Sequence, residues 1–154
     1  MICVNRIKYN IKLKRLPALV ICQFHKHIEL MDMIFQRGLG HKYNIAAVHG
    51  ATPNRKEILE DFRNGHIDIL IATFIVKRGK NFPKTKLLLN AAGSDSQSTI
   101  WQLMGRLERT DESKKKAYME SLFDTGKYMS RHSKHLVNYY RSTNFKVIED
   151  YKKE

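Results

Sequence analysis

Cysteine is nearly absent from this chain, with two in 154 residues. Cys3 and Cys22 show no paired spacing, which excludes a disulfide scaffold and a zinc ribbon, and Cys22 reads as a small core residue. Acid is scarce too: 15 Asp and Glu stand against 28 Lys and Arg, a net charge of +13. That surplus favours a polyanionic partner, nucleic acid first and an anionic membrane surface second. Long apolar runs are missing, so no segment is fit to span a bilayer. Met1 to Arg15 threads Lys and Arg through its apolar residues instead of forming a signal peptide, and a soluble, intracellular, non-secreted protein with no membrane partner is expected. Histidine comes in two close pairs, His25 with His27 and His132 with His135, but no third ligand lies near either and no metal is expected. Internal repeats and low-complexity linkers are absent as well.

What is present fits one domain, since the length and the 42% hydrophobic content suffice for a real core. Ala18 to Phe24 is short, nearly all apolar and partly β-branched, as a buried parallel strand should be. A helix follows with Ile28, Leu30, Met31, Ile34 and Phe35 on its apolar face, and Gly38 to Lys42 supply its turn. Tyr43 to Val48 reads as a second strand with His49-Gly50 as its exit. Pro53 to Asn64 reads as a helix with Ile58, Leu59 and Phe62 inward, closed by Gly65. Ile67 to Thr73, Lys86 to Ala91 and Ala117 to Phe123 give three more strands. Lys127 to Tyr140 reads as a last helix, with Tyr128, His135, Leu136 and Tyr139 on its apolar side. Residues 5–14 fit both periods, for Ile7, Tyr9, Ile11 and Leu13 alternate while Val4, Ile7 and Ile11 make a helical face. With Arg6, Lys8, Lys12, Lys14 and Arg15 and no acid, that stretch is either an arm that contacts nucleic acid or a solubilising edge. The alternation of strand and helix predicts an α/β fold, a mainly parallel β-sheet flanked by helices on both faces. Ligands of such sheets bind beyond the carboxyl ends of the strands, which draws attention to Gln23 to His25, His49-Gly50, Thr73 to Gly79 and Gly93 to Asp95.

The densest cluster of chemistry lies in a helix predicted from about Gln97 to Glu108, where Ile100, Leu103, Met104 and Leu107 form the apolar stripe. Gln102, Arg106 and Arg109 follow at intervals of four and three and so share one edge. Guanidinium is a planar fork of donors suited to phosphate and carboxylate oxygens. Gln102 stands one turn before Arg106 where a neutralising acid could have been. A bound phosphate is the expected partner, against the plainer reading of a solvated basic face.

Gln102-Leu103-Met104-Gly105-Arg106-Leu107-Glu108-Arg109 resembles motif VI of superfamily 2 helicases. Ala72-Thr73 through Arg78-Gly79 to Pro83 resembles their motif V, and Lys77, Arg78, Lys80, Lys84 and Lys86 make it strongly basic. Ala18 to Phe24 resembles motif IV, and Val48-His49-Gly50, Arg55 and Phe62 to Gly65 resemble the stretch between IV and V. The four segments keep the family's order and spacing over about Ala18 to Asp124. Phe123-Asp124 with Arg131-His132-Ser133 is similar to the ending of phage recombination and XPB-like DNA helicases. Two positions depart from the pattern: Asn81 stands where many members carry Asp, and Glu108 replaces the second Gly of motif VI.

The resemblance implies a single RecA-like domain, the C-terminal of the two lobes of a helicase motor. It divides the chain into a basic arm or lead-in at residues 1–17, the lobe at 18–124 and a helical tail packed on the lobe at 125–154. It implies that Arg109 is an arginine finger, that Arg106 reaches the γ-phosphate beside it, and that Gln102 aligns the attack or senses the nucleotide. Gly79 and Asn81 would lie by the ribose. Thr73, Gly50, Gln23, His25 and Lys77 would hold a nucleic-acid strand, DNA favoured over RNA. Such a motor also needs a phosphate-cradling Gly-x-x-x-x-Gly-Lys-Ser/Thr loop and an acidic pair for magnesium. Neither is found. Gly79-Lys80 precedes Asn81 and has Phe74 at the first Gly position, Gly126-Lys127 precedes Tyr128, and Asp111-Glu112 follows a helix and reads as a turn. ATP and Mg2+ are therefore expected only in complex with an N-terminal helicase lobe supplied in trans, and no ATP hydrolysis by this chain alone. The alternatives are a non-catalytic nucleic-acid-binding module and a regulatory protein that docks on another helicase.

Overall fold

The structure is a computed structural model that describes residues 2–74, 82–93, 97–107, 116–123, 126, 129–143 and 146–148. Its elements in chain order are α1 (Ile2–Lys12), β1 (Ala18–Ile21), α2 (His25–Leu39), β2 (Ile45–Val48), α3 (Arg55–Asn64), β3 (Ile69–Ala72), β4 (Leu87–Asn90), α4 (Gln97–Leu107), β5 (Tyr118–Ser121) and α5 (Met129–Arg141). The five strands form one sheet in the order β2-β3-β1-β4-β5, and every pairing is parallel. Ala18 on the central strand lies opposite Ile69 on one side and Leu87 on the other.

Parallel strands need crossover connections, and these cover both faces of the sheet. Successive strand residues point to opposite faces, and the core divides accordingly. Ala18, Val20, Ile69, Ile71, Leu87 and Leu89 pack with Cys3, Val4 and Ile7 of α1 and Ile28, Met31 and Phe35 of α2. Leu19, Ile21, Leu70, Ala72 and Leu88 pack with Leu59 and Phe62 of α3 and Leu103 and Leu107 of α4. The expected α/β layering with helices on both faces is thus observed. The chain moves one way from β1 to β2 and the other way from β2 to β3. Right-handed crossovers put the helices of these two connections, α2 and α3, on opposite faces, as found. Among the described residues no helix is long and apolar enough to cross a membrane.

Several local expectations need correction. The ambiguous residues 5–14 belong to helix α1 as far as Lys12, with Ile7 and Asn10 buried and Lys8, Lys12 and Lys14 exposed. Arg6 is bonded through Nε and Nη2 to the Glu120 carboxylate at 2.9 and 3.0 Å, and Arg15 lies 3.6 Å over the Tyr118 ring. Gly38 is inside α2, not in a turn. A Cβ there would lie 3.4 Å from Val4 Cγ1, at the edge of ordinary van der Waals contact. Leu30 is 50% exposed and leaves the apolar face of α2 to Ile28, Met31, Phe35 and Leu39. His135 of α5 is exposed, while Leu136 is buried with Met104 of α4. Tyr140, not named by the periodicity, bonds Ser121 at 2.8 Å, and burial pushes its hydroxyl up to about 12 against the opposing effect of that bond. Gly65 closes α3 as expected, with φ at 86° and its N–H turned back to the Asp61 and Phe62 carbonyls, a backbone that only glycine adopts freely.

A polar link ties α1 to the edge strand β5. Asn10 is fully buried. Its Nδ2 donates to the Arg6 carbonyl at 2.9 Å and to Glu120 Oε1 at 2.8 Å, and its Oδ1 accepts from Arg15 Nη1 at 3.0 Å. Asn10→Ala would remove these three hydrogen bonds from a buried position and is expected to lower the unfolding free energy in urea titration by about 1–3 kcal/mol. The two cysteines are buried, and burial pushes the Cys22 thiol up to about 12, with Cys3 acting in the same direction. Because thiolate is the reactive form, both thiols are expected to react with a disulfide reagent at pH 8 at least about a hundredfold slower in the native chain than in urea.

Candidate nucleic-acid and nucleotide interface

All five strands run the same way, so their carboxyl ends share one rim. Gln23 and His25 follow β1, His49 and Gly50 follow β2, and Thr73 follows β3, whose place between β1 and β2 sets it in the middle. Thr73 donates its N–H to the Val48 carbonyl at 3.4 Å. His25 reaches across the end of β3 to His49, and the two imidazoles stack with centroids 4.4 Å apart and planes inclined by 30°. Strands lie about 4.8 Å apart, so this contact spans roughly twice that spacing. Gln23, His25, Gly50 and Thr73, picked from separate segments of sequence, therefore converge.

The turn that carries Gly50 is held from within. His49 N–H donates to Thr52 Oγ1 at 2.8 Å, Thr52 N–H returns to the His49 carbonyl at 3.1 Å, and Ala51 N–H donates to His49 Nδ1 at 3.3 Å. In the last bond the imidazole Nδ1 is the acceptor. Arg55 Nη1 donates to the Gly50 carbonyl at 3.0 Å. Gly50 itself is exposed, is not among the glycines of positive φ, and would find nothing within 4 Å of a Cβ. Neither backbone conformation nor internal packing demands glycine there, and the open space is fit for a close external ligand.

On α4 the apolar stripe is seated as expected, with Leu103, Met104 and Leu107 buried. Gln102 is exposed, as is Gly105, where a Cβ would meet nothing. Glycine inside a helix costs about 1 kcal/mol relative to alanine, again without an internal reason. Arg106 occupies the last turn of α4, one turn beyond Gln102 along the same edge. Lys77, Gly79, Asn81 and Arg109 lie outside the described residues, as do Arg78, Lys80, Glu108, Asp111, Glu112 and Tyr128. Among the described residues no three His, Cys, Asp or Glu side chains gather as metal ligands would.

The structure adds residues that the sequence reading passed over. Phe24, read as part of a buried strand, lies beyond β1 with 64% of its surface exposed. Trp101, next to Gln102, is 57% exposed. His49 joins the rim through its ring as well as its turn. Sequence could not signal the histidine pair, because the partners come from strands that are not neighbours.

Comparison with known proteins gives the family and the fold. The competence protein ComFA of Bacillus subtilis is 38% identical over 69 residues, 44% of this chain and 15% of that protein. The ATP-dependent RNA helicase DBP3 of Yarrowia lipolytica is 31% identical over 96 residues, 61% of this chain and 16% of its own. The ATP-dependent DNA helicase RecG of Staphylococcus aureus is 30% identical over 106 residues, 62% of this chain and 16% of its own. The chain thus spans about a sixth of the length of these relatives. Among solved structures, a DEAD box protein from Methanococcus jannaschii matches with a TM-score of 0.68 at 21% identity, over 93% of this chain and 37% of the other. Domain 2 of the DEAD-box helicase Mss116p, solved bound to an RNA duplex, matches with a TM-score of 0.67 at 20% identity, over 78% of this chain and 48% of the other. The fold is the RecA-like one of these helicase lobes. The family model described as the helicase conserved C-terminal domain matches residues 4–111, and the chain belongs to that family.

Proposed function

We propose that this chain is the C-terminal half of a superfamily 2 ATP-dependent helicase or translocase, which binds one strand of nucleic acid on its rim and completes an ATPase site with an N-terminal lobe. The observation that carries the reading is the convergence on one rim of Gln23, His25, Gly50 and Thr73, with Gly50 left bare by the chain's own packing. Thr73 offers a hydroxyl to a backbone phosphate and Gly50 a close approach, while Lys77 adds charge that makes the affinity fall with salt.

On the α4 edge the chemistry suits a nucleotide polyphosphate. Gln102 is exposed, and Arg106 and Arg109 continue its edge in sequence as donors to the γ-phosphate, Arg109 as the finger. Gly79 and Asn81 belong beside the ribose. ATP, when bound between two lobes with Mg2+, supplies the phosphoryl group whose transfer drives movement. Nothing in this sequence has the form of a phosphate-cradling loop, so the N-terminal lobe is the component that would hold both. A binding module without turnover would need the rim but not the sequence pair Arg106 and Arg109, and a regulator docked on another helicase would need neither; the presence of both favours the half-motor. The branch beside phage and XPB-like helicases, and with it DNA, rests on the tail alone. The relatives' names divide between RNA and DNA, so both strands belong in the assay.

Two measurements test the reading. The chain alone is expected to show no ATP hydrolysis. Mixed with a separately produced N-terminal lobe it is expected to gain turnover stimulated by single strands, and Arg109→Ala should lower that turnover roughly a thousandfold. Magnesium-dependent hydrolysis by the chain alone, abolished by Arg109→Ala, would overturn the division of labour. For the rim, Gly50→Ala and Thr73→Ala are expected to leave the urea midpoint nearly unchanged and to weaken binding of oligo(dT) or oligo(U) at low salt by about tenfold each. Unchanged affinity in both variants would remove the groove from this face.

A further inference from the structure

We infer that Phe24, beside the stacked His25 and His49, is a platform on which a nucleobase stacks; this rests on the rim's being a nucleic-acid groove and adds a contact to bases. Phe24 is the residue before α2, with extended backbone at φ −119° and ψ 154° and no side-chain cap bond. That position favours Ser, Thr, Asp or Asn, whose oxygen would satisfy an orphan N–H, and a residue that cannot cap gives up about 1 kcal/mol. Phe24 also leaves most of a large apolar ring in water. Two local costs at one residue have no return inside the chain, which points outward.

The neighbours identify the occupant. Gln23, His25, Lys26 and Gly50 are all exposed and none is an apolar side chain, so Phe24 is a single aromatic in a polar, cationic setting. A protein partner would be expected to meet a contiguous apolar patch here. A nucleobase needs only one flat face, with cations and a bare backbone within reach for its phosphate. His25 is exposed and His49 half-buried, and their stack at 4.4 Å shows that planar groups already layer at this end of the sheet. The chain's net charge of +13 complements the ligand. Stacking of this kind is tolerant of sequence, because every base has such a face.

The test separates base from phosphate. Anisotropy titrations at low salt would compare labelled oligo(dT) and oligo(U) with abasic strands carrying the same number of phosphates. The full chain is expected to bind the base-bearing strand about tenfold more tightly than its abasic counterpart. Phe24→Ala should abolish that difference while leaving the abasic affinity unchanged, and Phe24→Trp should restore it. Equal affinity of the unaltered chain for both strands would overturn the platform and leave the groove intact. An equal weakening of both strands by Phe24→Ala would also overturn it, by showing a structural effect. No binding to any strand would remove the groove and the platform together.

Discussion

Parallel pairing is the constraint on which the rest of this molecule depends. Once β1 lies between β3 and β4 with all three pointing one way, each strand must be reached by a crossover, and the crossovers bury both faces. The only places left for polar, ligand-facing residues are the two rims, and the outgoing loops all open on the same one. Gln23, His49 and Thr73 become neighbours for that reason alone. A single reversed strand would send one of them to the far end of the sheet.

Charge is arranged around the same frame. In a chain with few acids, Glu120 is held at the sheet edge by Arg6 and by buried Asn10, so its carboxylate faces inward and offsets little of the basic surface. Arg15 rests on Tyr118. The cations of residues 6–15 thus split into two sets: Arg6 and Arg15 join the edge strand, whereas Lys8, Lys12 and Lys14 remain in water. Arginine suits the first role because its flat, delocalised group both stacks and forks.

The strands were legible because a strand buried on both faces is a short unbroken apolar run, and Ala18–Ile21, Ile69–Ala72 and Leu87–Asn90 have little else. Helix α4 was legible through the spacing of Leu103, Met104 and Leu107. Where the reading failed, the deciding contact was distant in sequence. Nothing in residues 5–14 announces Glu120, yet Asn10 and Arg6 bond it, and the choice of helix over strand is made with those tertiary partners. Leu30 and Phe24 failed differently: Leu30 is next to buried Met31 and Phe24 two residues past buried Cys22, yet both face outward. The rim was legible one loop at a time, since each loop follows its strand. The stacking of His25 on His49 was not, because strand order is a property of the assembled sheet.

The bonds between α1 and β5 join residues 114 and 110 positions apart. During synthesis α1 emerges early, with Asn10 and Arg6 lacking the acid they will bond until the ribosome has passed residue 120. In the finished fold α1 is held on the sheet by Cys3, Val4 and Ile7, and pairing of β5 adds the polar clasp. Long-range closure of that kind is a late and slow step in folding. A chain interrupted between α4 and β5 would hold α4 without the clasp that locks the opposite face.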